Sequence, residues 1–114
     1  MTADDFRRVA LGLAEAVEQG HMGHPDFRVG GKIFATLDAS GLRGCLKLTP
    51  EHQEMLLGAE PGLFEPAAGA WGRNGWTHLR LESADEATLK SVLTAAWRNT
   101  APAKLQSQLG EAGA

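Results

Sequence analysis

The chain has little of several things, and each shortage excludes something. One cysteine, Cys45, in 114 residues rules out an internal disulfide and favours a reducing compartment. No apolar run approaches the roughly 20 residues that a bilayer-spanning helix needs. The start, Met1-Thr2-Ala3-Asp4-Asp5, has neither the positive nor the apolar region of a secretion signal. The expected location is therefore the cytoplasm, with no membrane partner. Basic residues are not in excess: 11 Lys and Arg face 14 Asp and Glu, a net charge of −3, whereas a dedicated nucleic-acid binder is usually basic. There is no internal repeat and no low-complexity tract. The length suits one domain, expected over residues 1–109, with 110–114 (Gly-Glu-Ala-Gly-Ala) as a frayed tail.

Catalytic signatures are also missing. His21 and His24 flank a proline turn and belong to no larger ligand cluster. Gly30-Gly31-Lys32 lacks the longer glycine frame, the following Ser or Thr and the helix start of a phosphate loop. Cys45 and His78 could meet on one sheet face, but no third group orients them. Glu51, Glu54 and Glu60 read as a solvated helix face. No catalytic residue, metal ligand or cofactor is assigned, and the expectation is a binding protein, not an enzyme.

What is present is a regular alternation of elements. Thr2 with Asp5 forms a capping box, and Phe6, Val9, Ala10, Leu13 and Val17 follow the helical period, predicting a helix over 2–18 that Gly20 ends. A hairpin is expected over 26–37 around Gly30-Gly31. A strict two-residue turn pairs Val29 with Lys32; a three-residue loop with a bulge pairs Arg28 with Lys32, and the second is preferred. Asp38 to Gly41 makes the next turn. Leu42, Gly44, Leu46 and Leu48 then alternate with Arg43, Cys45 and Lys47. Thr49-Pro50 starts a short helix ending near Gly58, and 60–66 is a loop. Residues 67–72 read as a weak strand, joined through an Asn74-Gly75 turn to a strand from Trp76 to Leu81. Ser83 and Glu86 form a second capping box before a helix whose buried stripe is Leu89, Val92, Leu93, Ala96 and Trp97. The order α-β-β-β-α-β-β-α implies a two-layer α+β domain, an antiparallel sheet of about five strands with helices on one face.

Three stretches carry a resemblance. His24-Pro25-Asp26-Phe27 leading into Gly30-Gly31-Lys32-Ile33-Phe34-Ala35 resembles the signature of the MmcQ/YjbR family of small bacterial proteins. Leu46-Lys47-Leu48-Thr49-Pro50-Glu51 matches its strand-to-helix passage, and Gly72-Arg73-Asn74-Gly75-Trp76-Thr77-His78-Leu79 resembles its turn followed by Trp. Near the end, Ala96-Trp97 stands where many members have Ser-Tyr. The resemblance implies a compact fold of frataxin- and CyaY-like topology that binds DNA, a role assigned to the family by fold analogy. It implies no catalytic residue.

Charge and parity point to one surface. Residues 24–48 carry +2 and residues 69–81 carry +2, so the remainder carries −7. Pairing Leu37 with Leu42 places Ile33 opposite Leu46 in the core, and Thr36, Phe34 and Lys32 opposite Arg43, Cys45 and Lys47 outside. Pairing Arg73 with Trp76 adds Trp71, Arg73, Trp76, His78 and Arg80. The expected nucleic-acid or anion surface is thus Lys32, Phe34, Arg43, Lys47, Arg73, Trp76, His78 and Arg80, with Trp71 beside them and no acid. Basic groups interleaved with aromatics suit phosphates and stacked bases. The competing reading is an ordinary solvated face, with Trp71 and Trp76 packed beneath the 50–58 helix or the 60–66 loop. Expected partners are DNA, or else a protein or a small anion, with the chain a monomer or weak dimer.

Overall fold

A computed structural model describes residues 1–21 and 23–106; the expected tail, 110–114, lies outside the described residues. The elements are α1 (Ala3–Leu11), β1 (Val17–His21), β2 (His24–Val29), β3 (Lys32–Leu37), β4 (Arg43–Lys47), α2 (Pro50–Ala59), β5 (Phe64–Pro66), α3 (Gly69–Arg73), β6 (Trp76–Arg80), a 3-10 turn (Leu81–Ser83) and α4 (Glu86–Thr100). Six strands form one antiparallel sheet in the order β1-β2-β3-β4-β6-β5. The α+β architecture is the one expected, with β1 and α3 as additions. Among the described residues no helix is long and apolar enough to cross a membrane.

The Thr2 capping box forms as expected: Thr2 Oγ1 accepts from Asp5 N at 3.1 Å, and Asp5 Oδ2 accepts from Thr2 N at 2.8 Å. The helix stops at Leu11, not near 18, for a tertiary reason. Gly12 turns its N–H back onto the last carbonyls, and Trp97 Nε1 takes the Ala14 carbonyl at 2.9 Å. Glu15 then adopts φ +58° and the chain runs into β1, where Val17 pairs with Arg28. An Arg7–Glu18 ion pair of 2.7 Å ties α1 to that strand. At the other end, α4 begins on Asp85, whose Oδ1 accepts from Thr88 N at 2.7 Å; Ser83, the expected cap, lies in the preceding 3-10 turn.

The core is a single layer between α1 and α4 and one face of the sheet. The predicted α4 stripe (Leu89, Val92, Leu93, Ala96, Trp97) is fully buried, as are Phe6, Val9 and Ala10 of α1. Phe6 stacks at a tilt on Phe27, centroids 5.7 Å apart, and its ring fills the space above Gly44, where a Cβ would overlap it. The floor of the core therefore has a dent made of a missing side chain.

Two registers differ from expectation. Val29 pairs with Lys32 across a strict two-residue turn, not the bulged loop preferred above. The bulge lies further along: Arg28 pairs with Ile33, but Phe27 pairs with Ala35, which leaves Phe34 as the extra residue. Phe34 and Ala35 then both face the core, each 0% exposed, and Ile33 moves outward. Between β3 and β4 the pairs are Ala35 with Leu46, Thr36 with Cys45 and Leu37 with Gly44, a slip of two residues. The cause is a wider turn, closed by Asp38 N donating to Arg43 O at 3.1 Å. An even slip keeps the β4 side chains on their expected faces.

Replacing Gly44 by Ala is expected to destabilise the fold by about 1–3 kcal/mol, because the added methyl meets the Phe6 ring. Urea denaturation of Gly44→Ala, Phe6→Leu and the double variant checks this: the double variant should lose less than the two singles together. Strict additivity would show that the two residues do not meet.

Candidate functional site

Alternation along the strands leaves one sheet face free of α1 and α4. It carries Asp26 and Arg28 from β2, Ile33 and Thr36 from β3, Arg43, Cys45 and Lys47 from β4, and Trp76, His78 and Arg80 from β6, with Glu65 of β5 at its edge. The register sets Arg43 opposite Arg80, Cys45 opposite His78, Lys47 opposite Trp76 and Glu65 opposite His78. Five of the expected site residues (Arg43, Lys47, Trp76, His78, Arg80) come together there. Three do not. Phe34 is in the core, turned inward by the bulge. Lys32 sits exposed at the hairpin tip beside Val29, so the expected opposition of Lys32 and Lys47 does not arise. Arg73 is on α3, because residues 69–73 are helical and not a strand.

The helical course of 69–73 has a steric origin. A Cβ at Gly72 would overlap the Ala67 carbonyl, and Gly69 takes φ +62° at the helix entry. The strand that pairs with β6 is instead Phe64–Pro66, inside the stretch read as a loop. The helix end is then locked from below. Gln53 of α2, buried, directs Nε2 at the Gly72 carbonyl (3.1 Å), the Trp76 carbonyl (3.0 Å) and Thr77 Oγ1 (3.0 Å). Thr77 Oγ1 in turn donates to the Gly75 carbonyl at 2.9 Å.

On this scaffold Trp71 meets Trp76 nearly edge-on, centroids 6.0 Å apart at 73°, and Trp71 remains 66% exposed. Lys47 Nζ donates to the Asn74 carbonyl at 2.7 Å and lies 5.7 Å from the Trp76 ring centroid. Beside this pair an apolar hollow of about 330 Å³ opens between α3 and the sheet, lined by Ile33, Thr36, Cys45, Ala67, Ala68, Trp71 and Trp76. A larger open groove of about 760 Å³ runs along α4 past Lys90, Thr94 and Arg98, but its lining has no aromatic group.

The face is not free of acids, contrary to expectation. Asp26 holds Arg28 at 2.8 and 3.1 Å, Asp38 holds Arg43 at 3.2 Å, and Glu65 lies by His78. Burial alone would raise the Asp38 carboxyl; hydrogen bonds from Ser40 and Arg43 outweigh it and hold the group below its usual range. Lys47, Arg73 and Arg80 make no ion pair among the described residues. Asp26 was within reach of sequence reasoning, since it shares parity with Arg28; Glu65 was not, because 60–66 reads as a loop, nor were the small residues Ala67 and Ala68, because 67–72 reads as a strand.

Cys45 and His78 face each other as foreseen, yet no hydrogen bond joins them. Burial pushes the Cys45 thiol up to about 11, so it stays protonated. Burial, and secondarily Arg43, pulls His78 below its ordinary value of 6.5, and its Nδ1 is buried without a partner. Among the described residues no three His, Cys, Asp or Glu side chains group to hold a metal.

A family model described as YjbR matches residues 11–99. The fold is similar to the crystal structure of Deinococcus radiodurans protein DR2400, which has a DUF419 domain: TM-score 0.75, 24% identity, covering 96% of this chain and 88% of that one. At that identity the likeness is one of fold. No curated protein matches the chain at a significant level.

Two outcomes are expected at this site. Folding leaves His78 neutral more readily than the unfolded chain does, so stability should be full above about pH 6.5 and fall as pH drops below it, down to the lowered value in the fold. A His78→Gln variant should lose that dependence in thermal melts between about pH 7 and 5; an unchanged profile would assign it elsewhere. Replacing Gln53 by Leu should cost about 1–3 kcal/mol, from the lost bonds at a buried position; urea denaturation showing no loss would contradict the geometry.

Proposed function

The chain belongs to the YjbR family, and from that membership together with the outer sheet face we propose that it is a non-catalytic domain that binds nucleic acid, DNA in the first instance. The observation that carries this reading is Lys47. Its ammonium is held at 2.7 Å by a backbone carbonyl and lies over an indole, and among the described residues no carboxylate takes its charge. A cation set beside a stacking surface serves a phosphate and its neighbouring base together. Arg80 and Arg73 extend the unpaired positive charge along β6 and α3. The protonated thiol of Cys45 and the absence of a bond to His78 count against nucleophilic chemistry.

Because Asp26 and Asp38 already neutralise two of the arginines, the affinity should be modest, of the order of micromolar at low salt, and should fall as salt rises. Fluorescence anisotropy with labelled DNA at two salt concentrations tests this. Lys47→Ala and Arg80→Ala should each weaken binding and reduce the slope of log affinity against log salt by about 1. Binding that neither change affects, or none at low salt, would refute the placement.

One observation favours a second reading. Arg43 and Arg80 stand opposite each other in a shallow recess that Asp38, Glu65 and Glu82 also line; one small anion between the two guanidiniums would relieve their repulsion, while the carboxylates would repel a polyanion. Saturable thermal stabilisation by a small phosphate compound, without DNA affinity, would select it.

A further inference from the structure

We infer that the hollow between α3 and the sheet is a socket for one unstacked nucleobase, so that the preferred ligand is a single strand and not a duplex. This deepens the nucleic-acid reading above and rests on it. The hollow, about 330 Å³, is at the small end of ligand pockets. It admits one ring system. A base that is paired and stacked in a duplex presents only its edge and cannot enter without being flipped out.

The walls suit a base. Ile33, Thr36 and Cys45 floor the hollow from the sheet, and Ala67 and Ala68 keep its side open because their side chains are short. Trp71 closes it with an indole that offers Trp76 only an edge contact and leaves most of its own surface to water. Exposing so large an apolar group is costly, and a base laid on its face would remove that cost.

One cation stands beside the hollow: Lys47 Nζ lies 5.7 Å from the centroid of the Trp76 ring, which lines it. Arg43, two residues along β4 from Cys45, is already held by Asp38 at 3.2 Å. The acid on the β2 side, Asp26, is already held by Arg28 at 2.8 and 3.1 Å. A base in the hollow would thus have the Lys47 ammonium near a flanking phosphate. The groove along α4 has cations but no aromatic wall, and offers no such combination.

The test compares an oligonucleotide of about 12 residues, matched to the usual single-strand site sizes, as a single strand, as a duplex, and as a strand of abasic residues, by anisotropy. The single strand should bind about tenfold tighter than either of the others, one stacked base being worth that much. Trp71→Ala, which removes an exposed wall, and Ala68→Leu, which fills the mouth from an exposed position, should each erase the advantage while leaving duplex affinity and the melting temperature unchanged. Equal binding of single strand and abasic strand, or an advantage that survives Ala68→Leu, would overturn the socket and leave the nucleic-acid reading standing. Duplex binding with no preference for the single strand would do the same. No binding of any of the three would overturn both, and stabilisation by a free nucleotide alone would assign the hollow to a small ligand.

Discussion

The bonds of one buried amide decide where the surface elements stand. Gln53 has two N–H hydrogens and three acceptors around them, so the amide is shared across a fork and cannot turn without leaving a buried oxygen unmet. Those acceptors lie on the end of α3 and the start of β6, and the donor lies on α2. Three elements with few apolar contacts among them are thereby held in one relation. Gly75, between the helix and the strand that carry the acceptors, sits at φ +102° with no space for a side chain because the Leu48 carbonyl abuts it. The edge contact of Trp71 with Trp76 follows from this arrangement, since the two indoles hang from the elements that the amide joins.

The opposite side of the sheet is held by different physics. There α1 and α4 bury aromatic and aliphatic side chains against β3 and β4, and shape complementarity settles the fit: Phe6 occupies the place that a residue larger than Gly44 would take. The sheet thus has an apolar, tightly packed face and a charged face with an open hollow. Charge on the second face is balanced more closely than its arginines suggest. Asp26 and Asp38 each bind one; Lys47 lies at Trp76, and Arg80 stands at the other end of β6, opposite Arg43. Lys47 beside the indole gives an acidic protein, with a net charge of −3, a place where an anion can settle.

Local signals in the sequence were reliable where the interactions they describe are local. Thr2 with Asp5, Thr49 before Pro50, and the stripe from Leu89 to Trp97 formed as the spacing implied. The parity of β4 also held, because its turn slipped by an even number of residues. Arg43 and Lys47 were legible for that reason, and Trp76, His78 and Arg80 because they alternate with the core residues Leu79 and Leu81. Signals failed where a distant group intervened. The helical period from Phe6 to Val17 was real, but Trp97, some eighty residues away in the chain, claims the Ala14 carbonyl, and β2 recruits Val17 into the sheet.

Sequence alone determined the class of fold, the starts of α1 and α2, the α4 core stripe and the polarity of β4 and β6, since caps and periodicities act within a few residues. Only the tertiary structure decided which side Phe34 and Ile33 face, that residues 69–73 coil into a helix, and that Glu65 shares the cationic surface. A bulge changes parity at a single residue and leaves no periodic trace. The course of 69–73 depends on an Ala67 carbonyl with no room beside Gly72 and on a glutamine from another helix. The Gln53 bonds join segments that the linear order keeps about 20 residues apart, and the hollow beneath Trp71 stands on the scaffold they hold.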